Sequence, residues 1–238
     1  MSAFAESLST AVGLVRDADP QLTRIVLLSL GVSGAACLIG AVFGLAGGAW
    51  LAVTRIPGRR ALVAMLNTLL GLPSVVVGLF VYLMLSRSGP LGSWGILFTP
   101  KAMVIAQSIL VLPIIAALSR QLVADSLRDG GDQLGSMGAG PMTRALLMLL
   151  HERWSVVTLM LTAFGRAVSE VGAVMIVGGN IDGLTRVITT TIALETSKGD
   201  LPLALALGMV LLALVALLNV AIAGLPRGGT FGGWRAAT

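Results

Sequence analysis

Arg166 and Glu170 stand four residues apart inside a long apolar run, a spacing that places both on one face of a helix. At the centre of a membrane span each charge alone costs roughly 2.5–3.5 kcal/mol on insertion scales, so the two are expected to pair inside a helical bundle and to avoid lipid. A gate or hinge that fixes its helix is the role this spacing suggests. Direct anion binding by Arg166 is disfavoured, because the Glu170 carboxylate beside it repels a dianion. Bond-making chemistry finds little support elsewhere. Gly31-Val32-Ser33-Gly34 reads as G-x-S-G, yet the single histidine, His151, lies in a separate polar stretch and cannot serve as the base of a serine nucleophile there. His151-Glu152 opens an H-E-x-x-H zinc pattern with no second histidine to close it. Cys37, the one cysteine, sits in apolar sequence as a small packing residue, which excludes a disulfide or a cysteine-based metal cluster within the chain. No G-x-x-x-x-G-K-[ST] phosphate loop occurs, so ATP, where it drives a cycle, binds another subunit. The chain reads as a protein with no catalytic site, no metal and no cofactor of its own.

The elements that hold these residues are membrane helices. Among 238 residues, hydrophobic types make up 56% and charged types 11%, with a mean hydropathy of +0.95, where a soluble domain carries about 25% charged residues. So few ionisable groups exclude an ordinary water-soluble domain and make lipid the main solvent. Basic loops at a membrane surface explain the net charge of +5 without nucleic acid. Five apolar segments, 25–53, 61–85, 102–118, 154–177 and 201–225, reach or approach the ~20 residues a helix needs to cross ~30 Å of hydrocarbon. The first must tilt or extend past the bilayer, and the third is marginal. The segments lack the alternation of barrel strands, and an open sheet leaves backbone groups unpaired in lipid. The fold class is therefore an all-α membrane protein, a polytopic bundle of about five transmembrane helices.

Residues 1–24 lack the basic head and continuous apolar stretch of a cleavable signal. Phe4, Leu8, Val12 and Val15 recur at helical spacing and predict a short interfacial helix ending near Pro20. The transmembrane domain occupies 25–225, including a long connection at 119–153, and 226–238 form a tail. Nine arginines, among them Arg55, Arg59, Arg60, Arg144 and Arg153, fall on one side of the spans; six basic residues, among them Arg24, Lys101 and Arg186, fall on the other. The richer side is expected to be cytoplasmic, with the amino end outside and the carboxyl end inside. Trp50, Trp94 and Trp154 lie near span ends, where amphipathic rings meet headgroups.

Two spans carry irregularities. Pro73 removes one helical hydrogen bond and is flanked by Gly71 and Gly78, which predicts a kinked or broken second span. Irregular backbone at membrane depth persists only where protein or a water-filled cavity covers it, so Asn67, Pro73, Ser74 and Gly78 are candidate pathway residues; close helix packing is the competing reading. Beyond the fourth span, Gly178 and Gly179 permit unusual backbone angles, while Asn180, Thr185, Thr189, Thr190 and Thr191 offer uncharged hydrogen-bonding groups. Weak polar lining of this kind suits transit, because a tight site slows release. An ordinary outer helix or loop accounts for the same threonines equally well.

The connection 119–153 predicts a helix over 121–129, an interruption at Gly130-Gly131, a further turn or two over 132–137, a bend at Gly138-Ala139-Gly140, and a helix from Pro141 to Glu152. Proline at the first helical position costs no hydrogen bond, since that N–H has no partner in any helix. A rigid elbow of this form can transmit force to a soluble partner, and a plain connector is the alternative.

The elbow resembles the coupling element of binding-protein-dependent ABC importer permeases, whose motif runs Glu-Ala-Ala, three residues, Gly, nine residues, Ile-x-Leu-Pro. One register sets Asp132, Gln133 and Leu134 on the triad, Gly138 on the glycine with Ala139 after it, Met148 and Leu150 on the apolar pair and His151 on the proline. A rival starts at Asp129 with Gly135 as the glycine and ends on Ala145, Leu147 and Met148; the first also accounts for the bend and the helix to Leu150. Further blocks, NTLLGLPSVVVG from Asn67, MLSRSGPLG from Met84, LFTPKAMVIAQ from Leu97, FGRAVSEVGAVMIVGGN from Phe164 and TRVITTTIALETSKGD from Thr185, resemble permeases for oxyanions, most closely tungstate importers. The resemblance implies a type I importer permease in a prokaryotic inner membrane, with two copies forming the pathway. It further implies two ATPase subunits, holding ATP and Mg, on the cytoplasmic elbows, and an extracytoplasmic binding protein that delivers oxyanion. Molybdate and sulfate are the alternative cargoes. A passive channel or secondary transporter is a different class, and the five spans show no internal duplication to support it.

Overall fold

A computed structural model describes Ser9, Thr10, Val12, Gly13, Arg16 and residues 20–224. Phe4, Leu8 and Val15 of the expected interfacial helix, and the tail 226–238, lie outside the described residues. Among the described residues there are nine α-helices and no strand: α1 Pro20–Val53, α2 Arg59–Leu69, α3 Ser74–Leu85, α4 Pro100–Ser136, α5 Pro141–His151, α6 Arg153–Val168, α7 Gly172–Gly178, α8 Ile188–Lys198 and α9 Leu201–Gly224. A single 3-10 turn, Gly92–Trp94, lies between α3 and α4. The parts of α1, α4 and α9 covering Pro20–Val53, Pro100–Arg128 and Leu201–Ala221 are each long and apolar enough to cross a membrane. The pairs α2 with α3, bent by 97°, and α5 with α6, bent by 78°, bring the number of candidate spans to five if each counts as one. This is a polytopic helical membrane protein.

The centre of the bundle is the pairing of α1 with α4. Gly40, Gly44 and Gly48 recur every fourth residue along α1, all buried, and their bare backbone lets α4 come close. A Cβ on Gly44 would stand 2.8 Å from Cγ2 of Ile115, and one on Gly48 would stand 2.9 Å from the Arg120 amide and overlap the Ala116 carbonyl. Small residues at this spacing substitute close van der Waals packing for the hydrophobic drive that lipid does not supply. Three buried clusters succeed one another along the α1–α4 axis. One gathers Val77, Val81, Met103 and Val174; the next gathers Cys37, Val111, Ile115 and Leu159; the last gathers Ala49, Val123 and Ala145.

The second span breaks as its proline predicts. The last turn of α2 tightens, with the amides of Leu70, Gly71 and Leu72 bonding back to Asn67, Thr68 and Leu69. Pro73 then takes extended backbone as the residue before α3. Two expectations require correction. Gly130-Gly131 do not interrupt the connection: α4 runs on to Ser136, 37 residues in one helix. Glycine costs a helix only about 1 kcal/mol relative to alanine, and the packing of Val123 and Leu127 against Ala145 and Leu149 outweighs it. The fourth span is not continuous either. α6 stops at Val168, residues 169–171 leave the helical path, and α7 resumes at Gly172. Arg166 and Glu170 therefore do not share a helical face; Glu170 stands in the break.

Candidate functional site

The break after α6 exposes backbone groups that a continuous helix satisfies internally, and at membrane depth each unpaired group costs several kcal/mol. Glu170 resolves most of this. Its Oε1 accepts the amides of Val171 and Gly172 at 3.1 and 3.0 Å, capping the start of α7, and its Oε2 accepts Nη1 of Arg166 at 3.0 Å. A carboxylate is favoured at that position by the positive end of α7. Three other elements supply the remaining bonds. Gln107 of α4 donates Nε2 to the Ala167 carbonyl at 3.0 Å, and Thr189 of α8 donates to the Glu170 carbonyl at 2.8 Å. Ser74, at the start of α3, brings its hydroxyl to the same carboxylate. Glu170 is buried, whereas the side chain of Arg166 is 54% exposed.

The break of the second span faces that of the fourth. A narrow crevice between them is lined by Leu69, Leu70 and Leu72 on one side, Arg166, Ala167 and Glu170 on the other, and Gln107 with Leu110 of α4 at its floor. Gln107 is buried and its Oε1 has no partner. The carboxylate is taken up by the Val171 and Gly172 amides, Arg166 and the Ser74 hydroxyl, and no group of three or more metal-ligating side chains occurs among the described residues. The arrangement holds two interrupted helices in register and presents one guanidinium to the space beside them.

The elbow is built by glycine and proline. Gly138 has φ +80°, its amide bonds to Gly135 and the Ala139 amide to Leu134. These are the paired bonds of a left-handed helix terminus, where a Cβ is disfavoured. Gly140 is extended and Pro141 opens α5. At the far end Glu152 is buried, accepts the Ser155 hydroxyl at 2.7 Å and turns the chain into α6. Ala145 and Met148 of α5 face inward, while Met142, Leu146, Leu147 and Leu150 are exposed, as is Met137 before the bend. Gln133 and His151 are exposed and Leu134 and Ala139 half-buried; the side chain of Asp132 lies outside what is described. On this exposed apolar face Leu150 was expected in the coupling element, whereas Met142 and Leu146 escaped the sequence reading, although the four-residue spacing was there to find.

Comparison with known proteins decides the family. The chain is 41% identical over 225 residues, 93% of its own length and 97% of the relative's, to the tungstate uptake system permease protein TupB of Peptoclostridium acidaminophilum. It is 42% identical over 203 residues, covering 83% of this chain and 88% of the relative, to a probable anion ABC transporter permease protein of Haloferax volcanii. The sulfate transport system permease protein CysW of Escherichia coli is more distant, at 31% over 182 residues, 71% of this chain and 60% of the relative. No family model matches. The chain belongs to the oxyanion ABC importer permeases.

The permease brings some of the predicted residues together and leaves others apart. Ser74, Arg166, Glu170 and Thr189 meet at the break. Gly78 and Gly172 let α3 and α7 cross closely, since a Cβ on Gly78 would stand 2.7 Å from Cα of Ala173. Gly178 packs on Met103, and Gly179, with φ +69°, lies over the Phe98 ring. Asn180 also has positive φ, 50°. Thr185 donates to the Gly178 carbonyl at 2.6 Å and accepts the Ile181 amide at 2.9 Å, while Thr190 and Thr191 bond to Val187. The threonine hydroxyls are thus spent within the chain. Pro73 and Asn67 are exposed, and Asn67 lies on α2, which has no buried residue. Gln107 is the participant that sequence reading missed; an amide in an otherwise apolar helix was the available signal.

Proposed function

We propose that this permease is the membrane-spanning half of an ATP-driven tungstate importer. The carrying observation is the alignment with a tungstate uptake permease over nearly the full length of both chains. Two copies form the conduit in a prokaryotic inner membrane, with the amino end outside and the carboxyl end inside. Two ATPase subunits, which bind ATP and Mg, grip the apolar face of α5 at Met142, Leu146 and Leu150 together with the bend at Gly138. An extracytoplasmic binding protein delivers the oxyanion. The permease itself breaks no bond.

The geometry supplies a lever for this cycle. α5 joins α6 through a corner at Glu152 with no intervening loop, and α6, ~24 Å long at 1.5 Å per residue, ends at the Glu170 break. Closure of the ATPases moves α5, the corner turns that motion into a swing of α6, and the break is displaced against Pro73 and Ser74. The half-exposed guanidinium of Arg166 supports a wet face there, because at the centre of hydrocarbon it would cost roughly 2.5–3.5 kcal/mol. Pathway roles for Asn67, Gly78, Gly178, Gly179, Asn180 and Thr190 belong to the same proposal, acting through backbone shape. Sulfate is the second reading, resting on the similarity to CysW.

Reconstitution into proteoliposomes with the ATPase and binding protein, followed by ATP-dependent uptake of tungstate, molybdate and sulfate, tests the assignment. Tungstate uptake at the lowest concentrations is the expected result. Uptake of organic solutes alone, or normal uptake without an ATPase, overturns it.

A further inference from the structure

We propose that the permease carries a binding site for an anionic phospholipid headgroup, between the α1–α2 turn and the elbow helix α5. Arg55 and Arg59 of the turn and Arg144 of α5 line one open cleft of about 1000 Å³, with no acidic residue among its described lining. Arg59 is partly committed, donating Nε and Nη2 to the carbonyls of Leu51 and Ala52 at the end of α1. Arg55 and Arg144 are in no ion pair among the described residues, and Nε of Arg144 is buried without a partner. Three guanidiniums sharing one cleft repel one another, and an anion placed among them removes that repulsion while meeting their fork geometry.

The level and the walls of the cleft select a lipid over a soluble anion. α1, an apolar helix long enough to cross a membrane, ends at Val53, and the cleft, which Leu127 of α4 also lines, opens at that end of it. Trp50, 45% exposed, stands at its edge, the depth that indole rings favour. Val53 and Leu127 continue the wall in apolar surface. A phosphate head among the arginines with an acyl chain descending past Trp50 satisfies both kinds of wall, and basic pockets between membrane helices bind anionic heads in this manner. The bound lipid ties the α1–α2 turn to α5.

The test uses the full-length permease, delipidated in detergent and titrated with phosphatidylglycerol, phosphatidylcholine or inorganic phosphate, with bound lipid counted by native mass spectrometry. Phosphatidylglycerol is expected to bind, with a roughly 30-fold loss of affinity in R55Q/R144Q, from two basic groups at a membrane surface. R55K/R144K is expected to recover most of that loss. A variant with Trp94, Trp154 and Trp234 changed to Phe leaves Trp50 as the reporter, and brominated phosphatidylglycerol is expected to quench it where brominated phosphatidylcholine does not; this readout keeps the arginines intact. Equal binding of phosphatidylcholine, equal binding by R55Q/R144Q, or full competition by inorganic phosphate overturns the proposal. Loss of ATPase co-purification in R55Q/R144Q with lipid retention unchanged also overturns it, reassigning the arginines to a protein partner.

Discussion

Replacing Glu170 with Ala removes the acceptor on which the interrupted fourth span depends. The Val171 and Gly172 amides lose bonds of 3.1 and 3.0 Å, and an unsatisfied buried donor costs about 1–3 kcal/mol. The ion pair adds less, since the Arg166 side chain is 54% exposed and a pair so open to solvent contributes about 0–1 kcal/mol. Together the two donors and the pair give a destabilisation of about 2–7 kcal/mol for E170A, or a melting temperature lower by roughly 4–28 °C for a chain of this size. Glutamine keeps an oxygen for the two amides and loses only the charge, so E170Q is expected to fall by about 1 kcal/mol, roughly 2–4 °C. The assay is thermal unfolding of the purified permease in one detergent, followed by intrinsic fluorescence. An R166A partner variant completes a double-mutant cycle, in which the Arg–Glu coupling is expected to stay below about 1 kcal/mol. Wild-type melting of E170A would refute the capping argument. Equal losses in E170Q and E170A would show that charge, and not amide capping, holds the break.

Gly138→Val forces a β-branched residue into φ +80° at a cost of about 1–2 kcal/mol; membrane insertion is expected to be intact while ATP hydrolysis no longer drives uptake, measured in the same proteoliposomes. Gly48→Val drives side-chain atoms into the Ala116 carbonyl and the Arg120 amide, and overpacking of at least about 1–3 kcal/mol is expected to lower the yield of folded, monodisperse permease on size exclusion. Thr185→Val deletes the bonds to Gly178 and Ile181 and is expected to lose about 1–3 kcal/mol in thermal unfolding, with Thr185→Ser close to wild type. Leu146→Asp, on the exposed face of α5, is expected to abolish co-purification with the ATPase while leaving the melting temperature near that of wild type.

What the sequence determined by itself were the features that sum locally. Hydrophobicity accumulated over ~20 residues defines a span whatever surrounds it, and Pro73 lacks a donor in any context. Gly138 and Pro141 demand a turn and then a helix start, and the motif blocks carried the family because they are strings of adjacent residues. Tertiary structure decided which polar groups answer one another. Gln107 meets Ala167 across 60 residues, the Ser29 hydroxyl receives the Ile188 amide across 159, and neither pairing leaves a trace in local spacing. The same non-local packing carried α4 through Gly130-Gly131, where the glycine cost is small beside the burial of Val123 and Leu127 against α5. It also ended α6 at Val168, where Glu170, Gln107 and Thr189 satisfy the freed backbone better than the helix would. Arg55, Arg59 and Arg144 read in sequence only as basic loop residues; folding the turn against α5 brought them to one cleft.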